Sequence, residues 1–244
     1  MKSYDTASKK GLKAIFFDAG GTLFRVHPSV GRVYARVAKS YGARVDSVKL
    51  EKIFRDEFNH RDGITSLGVH TTEKGEKLWW RCLVHDVFQK VGGVPRFDEF
   101  FEELYELFAR PEVWRLYPEV KGMLGRLKGE GFVLGIVSNW DSRLLILTKR
   151  LGVEPYFDFV LASALVGSAK PNPGIFQEAL KRACVSAEQA IHVGDSFKDD
   201  YRGASAAGIR SILLNRDGTR KIGIRVIRSL LELEQLIRSM DEKI

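Results

Sequence analysis

The chain has 244 residues, 44% of them hydrophobic and 29% charged, which is the make-up of an ordinary globular protein long enough to bury a core without disulfide or metal staples. Its formal net charge of +8 suits anionic ligands, but Lys and Arg are scattered rather than clustered, which argues against nucleic acid as a partner. No apolar run approaches the ~20 residues of a membrane span, and the opening MKSYDTASKKGLK lacks the apolar segment of a secretory signal. Residues 1–11 read as a disordered tail on a cytoplasmic protein, a trimmed organelle precursor being the alternative.

The first element is a strand. Ala14 to Phe17 is an apolar run of β-formers suited to burial on both faces. It stops at Asp18, and Gly20 and Gly21 then allow a sharp turn before the hydroxyl of Thr22. From Ser29 to about Pro111 the pattern is helical, with no convincing strand. Val30, Val33, Tyr34, Val37, Ala38 and Tyr41 recur at helical spacing up to Gly42. Asp46 or Ser47 caps a second helix through Phe58. Arg61 to Val69 is a polar loop, and a third helix runs from Thr71 or Thr72 to Phe88, broken by Gly92, Gly93 and Pro95. Asp98 to Ala109 is a fourth. Four helices in about 80 residues read as a small helical domain inserted after the first strand. Its aromatic residues (Phe54, Phe58, Trp79, Trp80, Phe88, Phe100, Phe101) are expected to form mostly core, with one or two lining a cleft. The two cysteines, Cys82 and Cys184, form no CxxC and read as free, buried thiols of a reducing compartment.

From Tyr117 onward strands and helices alternate. Phe132–Val137, Phe157–Ala162, Ala190–Val193 and Ser211–Leu214 are the strands. The helices between and after them are Val120–Lys128, Leu144–Leu151, Ile175–Ala183, Tyr201–Ala207 and Ser229–Met240. Such alternation builds a doubly wound parallel sheet. The fold class is therefore α/β, with a core of 12–25 plus 113–244 and an all-helical cap of 26–112 over its active edge.

Read together, the strand ends carry the chemistry. Asp18 follows the first strand, Ser138 and Asn139 the second, and Asp195 with Asp199 and Asp200 a later one, so all gather on the carboxyl edge of one sheet. Lys170 lies in SAKPNPGIF, a loop stiffened by Pro171 and Pro173. A carboxylate nucleophile, hydroxyl and amide donors, one lysine and an acidic pair are what phosphoryl transfer needs. The carboxylate attacks phosphorus, the lysine and donors neutralise its equatorial oxygens, and a hard cation held by carboxylates lets two anions approach. His192, inside a strand, reads as a satisfied core residue. His27, His60, His70 and His85 show no metal-ligand spacing, and Arg25 and Arg143 read as solvated surface arginines.

FFDAGGTLF, VSNWD, SAKPNPGIF and VGDSFKDDYRGASAAG resemble motifs one to four of the haloacid dehalogenase superfamily. The helical insert resembles the C1-type cap of its subfamily I, and the run as a whole is most similar to the subgroup called haloacid dehalogenase-like hydrolase domain-containing protein three. The resemblance covers nearly the whole chain after residue 11. It implies a Rossmann-like core and a phosphatase of small phosphorylated metabolites working through an aspartyl-phosphate. It implies Asp18 as nucleophile and phosphate contacts from Thr22, Ser138, Asn139 and Lys170. It also implies Mg²⁺ held by Asp18, the Gly20 carbonyl, Asp195 and a second acid, Asp200 in the longer-spaced form of motif four or Asp199 in the shorter. One position departs. Family phosphatases usually carry aspartate where this chain has Gly20, so no carboxyl there can protonate a leaving alkoxide or activate water. Alternatives are a phosphometabolite- or partner-binding protein without efficient turnover, a haloacid dehalogenase, or a phosphonatase using Lys49, Lys52, Lys74 or Lys77.

Overall fold

A computed structural model describes residues 11–67, 71–218 and 223–241. Residues 1–10 of the expected tail, His70 and the end of the expected 61–69 loop lie outside the described residues. In chain order the elements are β1 (Ala14–Phe17), β2 (Phe24–Val26), α1 (Val30–Ser40), α2 (Ser47–His60), α3 (Glu73–Gln89), α4 (Phe97–Leu107), β3 (Trp114–Leu116), α5 (Val120–Gly129), β4 (Val133–Ser138), α6 (Arg143–Arg150), β5 (Phe159–Ala162), α7 (Ser163–Val166), α8 (Pro173–Ala183), β6 (Ala190–Gly194), α9 (Gly203–Ala206), β7 (Arg210–Leu214), β8 (Val226–Ile227) and α10 (Leu233–Asp241).

Six strands form one sheet in the order β5-β4-β1-β6-β7-β8, and every pairing in it is parallel. Strand β1 is central and buried along its whole length, which is why it reads as an unbroken apolar run. Its side chains alternate between two layers. Ile15 and Phe17 pack with Met123, Leu124 and Leu127 of α5 and Leu144 and Leu147 of α6. Ala14 and Phe16 pack with Ile175, Phe176 and Ala179 of α8. Register brings Phe17 opposite Ile136 on one side and Val193 on the other, so Asp18, Ser138 and Asp195 leave the sheet on one edge.

Helices α1 to α4 carry their own apolar cluster. Val33 and Val37, Leu50, Leu83 and Val87, and Phe100 and Leu104 meet in it. Asp46 is the N-cap of α2 and Thr72 that of α3, each accepting from a backbone N–H three residues on. A two-stranded antiparallel sheet of β2 and β3 joins this unit to the core, with Arg25 opposite Arg115. Strands of two or three residues such as β2, β3 and β8 carry too little periodicity to be expected from pattern alone.

Some expectations are corrected. Cys82 and Cys184 are free but exposed: Cys82 stands on the outward face of α3, and Cys184 is the left-handed residue that ends α8. The expected helix from Tyr201 begins earlier, as a π-helical turn from Phe197 to Arg202 that leads into α9. The last helix is entered through a 3-10 turn, Leu230–Glu232, capped by Ser229.

Gly31, buried on α1, is where α1 and α2 touch: a Cβ there would meet the backbone of Ser47 and Glu51. Gly31→Ala is expected to destabilise the protein by ~1–3 kcal/mol, the usual cost of overpacking. Gly129→Ala, with open space around it, should cause no loss. Urea unfolding midpoints check this, and equal midpoints for the two variants would contradict the close helix approach.

Candidate active site

The carboxyl edge of the sheet gathers the expected residues. Asp18, just past β1, is almost fully buried. Its Oδ1 accepts from Ser138 Oγ at 2.8 Å and from Lys170 Nζ at 2.6 Å. The same ammonium donates to Asp200 Oδ1 at 2.6 Å. Asp200 Oδ1 also lies 2.8 Å from His192 Nε2, and its Oδ2 accepts from Ser196 N at 2.9 Å. Lys170 is thus an ammonium buried between two carboxylates.

Asn139 does not reach Asp18. Its amide clamps the backbone of Lys170, accepting from Lys170 N at 2.7 Å and donating to Lys170 O at 2.8 Å. Thr22 is fully buried, and its hydroxyl has no partner among the described residues. Ser196 caps the π-helical turn, accepting from Asp199 N. That turn sends Asp200 into the interior, while Asp199 stays half-exposed and returns to the Ser196 hydroxyl at 3.1 Å.

Charge in this cluster is unbalanced. Burial raises the carboxyl of Asp18 above the usual carboxylate range, against the pull of Lys170. Burial opposes ionisation of Asp200 too, but Lys170 and His192 outweigh it and hold that carboxyl below its ordinary value. Burial lowers His192, so the imidazole is neutral and donates from Nε2. Its Nδ1 has no partner among the described residues, so His192 is less completely satisfied than expected. Asp195 is the member of the trio open to solvent. Although its residue surface is the most exposed of the three, the surrounding protein desolvates its carboxyl, and this, with the nearby Asp18 and Asp200, pushes it up to about 8. Oxygens of Asp18, Asp195 and Asp200 lie within 4.8 Å of one another. The raised carboxyls of Asp18 and Asp195 reflect burial and mutual repulsion in an oxygen-donor trio with one lysine, and a hard, oxygen-seeking divalent cation would offset that repulsion.

Glycines shape the turn after Asp18. Gly21 has φ +81°, and a Cβ there would run into the carboxylate of Asp195. Gly20 has ordinary backbone angles, but a Cβ there would lie 2.9 Å from the ring of Trp140. The first atom of any side chain at Gly20 would therefore push on the indole, which itself packs edge-on against Phe24 and tilted against Trp114.

Two cavities meet here, sharing Gly20, Phe58, Ile64 and Asn139 in their walls. A polar one of about 360 Å³ holds Asp18, Lys170, Asp195, Asp199 and Asp200. A larger one of about 460 Å³ lies between the helical unit and the core. Lys49, Lys52, Lys74 and Lys77 line neither; Lys77 is paired with Glu102.

Sequence reasoning assigned no role to Asp141 or Glu76, counted Trp80 only among aromatics expected in the core or lining a cleft, and placed Arg143 on the surface. The structure corrects this. Arg143 is largely buried, forking onto both oxygens of fully buried Asp141 at 3.0 and 2.6 Å. Trp80 Nε1 donates to the same carboxylate at 2.6 Å, and Arg143 reaches the Tyr105 carbonyl. Glu76, also buried, accepts from Ser142 N and Oγ. These contacts bolt α3 and α4 to the segment after β4. The signal available was WD-S-R directly after Ser138-Asn139: an acid and an arginine two residues apart beside a strand end. Arg25 is exposed as expected.

Comparison with known proteins is consistent over the length of the chain. The family model of haloacid dehalogenase-like hydrolases matches residues 12–208. Haloacid dehalogenase-like hydrolase domain-containing protein 3 of Mus musculus is 34% identical over 212 residues, 85% of this chain and 84% of that one. Among solved structures, a HAD phosphatase from Thermococcus onnurineus is 25% identical with a TM-score of 0.65, covering 93% of this chain and 98% of its own. A 2-haloacid dehalogenase from Pseudomonas syringae pv. Tomato DC3000 is 26% identical at the same TM-score, covering 94% and 99%.

The acidic trio predicts a cation-dependent stability. A hard divalent cation at 100 times its dissociation constant should stabilise the wild type by about 2.7 kcal/mol, read as a raised melting temperature. Asp195→Asn should respond far less. An equal rise in both proteins would remove Asp195 from the ligand set.

Proposed function

The chain belongs to the haloacid dehalogenase-like hydrolases, and we propose that within this family it is a Mg²⁺-dependent phosphatase of a small phosphorylated metabolite. The observation that carries this reading is the state of Asp18. Its Oδ1 is held by Ser138 and Lys170. Its Oδ2, which carries no hydrogen bond among the described residues, is the oxygen oriented for attack. Kinship alone leaves phosphatase and dehalogenase chemistry both open, since neighbours of each kind are similar to the chain. The acidic trio favours the phosphatase, because close carboxylates are costly unless a cation offsets them. A phosphonatase has no support, since its candidate lysines line neither cavity.

Asp18, Asp195 and Asp200, with the Gly20 carbonyl, would hold the cation, which when bound offsets the charge of the phosphoryl group and of the carboxylates around it. The remaining work falls to the chain. Asp18 Oδ2 attacks phosphorus, the bond to the leaving oxygen breaks, and an aspartyl-phosphate forms. The Lys170 ammonium and the Ser138 hydroxyl steady the nucleophile and neutralise phosphoryl oxygens. Asn139 keeps Lys170 in place through its backbone. Water then attacks phosphorus and frees Asp18. The helical unit, residues 26–112, acts as the cap over this edge, with substrate entering as it hinges at the β2 and β3 crossing.

Gly20 sets the limit on rate. With no acid there, the leaving group departs unprotonated and the aspartyl-phosphate lacks its usual base. The same feature supports the second reading, a phosphometabolite-binding protein with slow turnover.

Esters and a 2-haloacid assayed with and without Mg²⁺ separate these readings. Turnover of activated phosphates, dependent on Mg²⁺ and lost in Asp18→Asn, is expected. Haloacid turnover without metal would overturn the phosphatase.

A positioned acid contributes ~10²–10⁴ in rate, but at Gly20 it needs room. Gly20→Asp alone should be no faster than Gly20→Ala, because both push on Trp140. Gly20→Asp with Trp140→Leu should exceed Gly20→Ala with Trp140→Leu on alkyl phosphates. No gain in a folded, Mg²⁺-binding double variant would mean that another residue supplies the acid. Brisk alkyl phosphate turnover by the wild type would contradict the role given to Gly20.

A further inference from the structure

The larger cavity stands directly beside the reacting carboxylate and differs from it in character. One wall is a run of rings: Phe54 stacks on Phe58, and Phe58 on Trp80, with centroids 5.7 and 6.1 Å apart. Trp140 and Trp114, 5.3 Å apart, form another part of the wall. The chamber and the acidic cavity adjoin, with Gly20, Phe58, Ile64 and Asn139 in the walls of both.

Several polar groups in the chamber wall are already engaged. The guanidinium of Arg143 is spent on Asp141 and on the Tyr105 carbonyl, and lies flat over the Tyr105 ring at 4.0 Å. Glu51 accepts from Gly31 N at 2.6 Å. Asn139 is committed to the backbone of Lys170. A sugar placed here would lose water from several hydroxyls and find few partners beyond Arg25 and the hydroxyls of Ser29, Tyr34 and Tyr105, which is costly. A flat apolar ring loses nothing by entering, and about 460 Å³ is room for one or two fused rings with substituents.

Two observations that do not depend on each other therefore agree on what is expelled. The aromatic walls of the chamber favour a ring over a polyol. The missing acid at Gly20 demands a leaving group that departs as an anion, which a phenol does far more readily than an alkanol, its pKa being about 10. Resting on the phosphatase reading above, we infer that the substrate is a small aryl phosphate monoester, its phosphate over Asp18 and its ring in the chamber lined by Phe58, Trp80 and Trp140. Asp18 Oδ2 bonds to phosphorus as the P–O bond to the ring oxygen breaks, and the electron pair leaves as phenolate. Water then breaks the aspartyl-phosphate, giving inorganic phosphate and restoring the carboxylate. The proton that water releases balances the phenolate. No oxidant or further reactant is required.

The test uses the full chain with Mg²⁺. Calorimetry compares phenylphosphonate with methylphosphonate, and kinetics compare 1-naphthyl phosphate with acetyl phosphate, an activated phosphate that carries no ring. Phenylphosphonate should bind at least tenfold tighter. Val30→Trp, which fills the chamber from the start of α1, should lower the ratio of naphthyl to acetyl phosphate kcat/KM at least tenfold. Acetyl phosphate turnover with equal binding of the two phosphonates would overturn the aryl assignment and leave the phosphatase standing. No turnover of acetyl phosphate would overturn the phosphatase itself, and with it the substrate class. Should Val30→Trp fail to fold, the phosphonate comparison on the wild type decides alone.

Discussion

Lys170 is a fully buried ammonium between Asp18 and Asp200, and the rest of the site is arranged around that placement. Removing a charge from water costs several kcal/mol per ion, repaid only when geometry is good and the remaining donors are used. Here the repayment is spread over several elements. β1 delivers Asp18, the π-helical turn after β6 delivers Asp200, and Asn139, just past β4, grips the backbone of Lys170 from both sides. His192 supports Asp200 from within β6. Three adjacent parallel strands must therefore be in register for one lysine to be satisfied. The fold and the site are stabilised by the same set of contacts.

The second constraint is steric. Indole fills the position where the family's acid would project from the turn after the nucleophile, and Phe24 and Trp114 hold it there. Gly20 and Trp140 are best understood as one feature: the absent side chain leaves the room that the indole takes, and both stand in the wall of the aromatic chamber. The buried Asp141–Arg143 pair and Glu76 on the Ser142 amide then fix α3 and α4 above that chamber. So the wall that shapes the chamber is attached to the strand edge that carries the chemistry.

Much of this was legible in the chain. Ala14–Phe17 is so uniformly apolar that a central strand was the natural reading, and a carboxylate right after it marks the edge where such sheets bind ligands. Lys170 beside two prolines and the acids after Gly194 were found the same way, because strand ends announce themselves by an abrupt change of polarity. What stayed hidden depends on distance in space rather than in sequence. Arg143 looked like a solvated arginine because the rings that cover it, Trp80 and Tyr105, lie in another part of the chain, although its ion-pair partner Asp141 is only two residues away. Cys82 looked buried because apolar neighbours surround it in sequence, whereas the helix turns it outward. Gly20 was conspicuous as a missing carboxyl, but nothing in a linear reading shows that Trp140 occupies the gap.

The central claim is that Asp18 is a nucleophile poised by Lys170 and Ser138. It is tested most directly by acid quenching of the protein during turnover of acetyl phosphate with Mg²⁺, followed by mass spectrometry of its peptides. The expected result is one added phosphoryl group on the peptide that contains Asp18, accumulating because no base stands at Gly20, and absent from Asp18→Asn. Turnover with no phosphoryl group on that peptide, or with the group on another, would contradict the account.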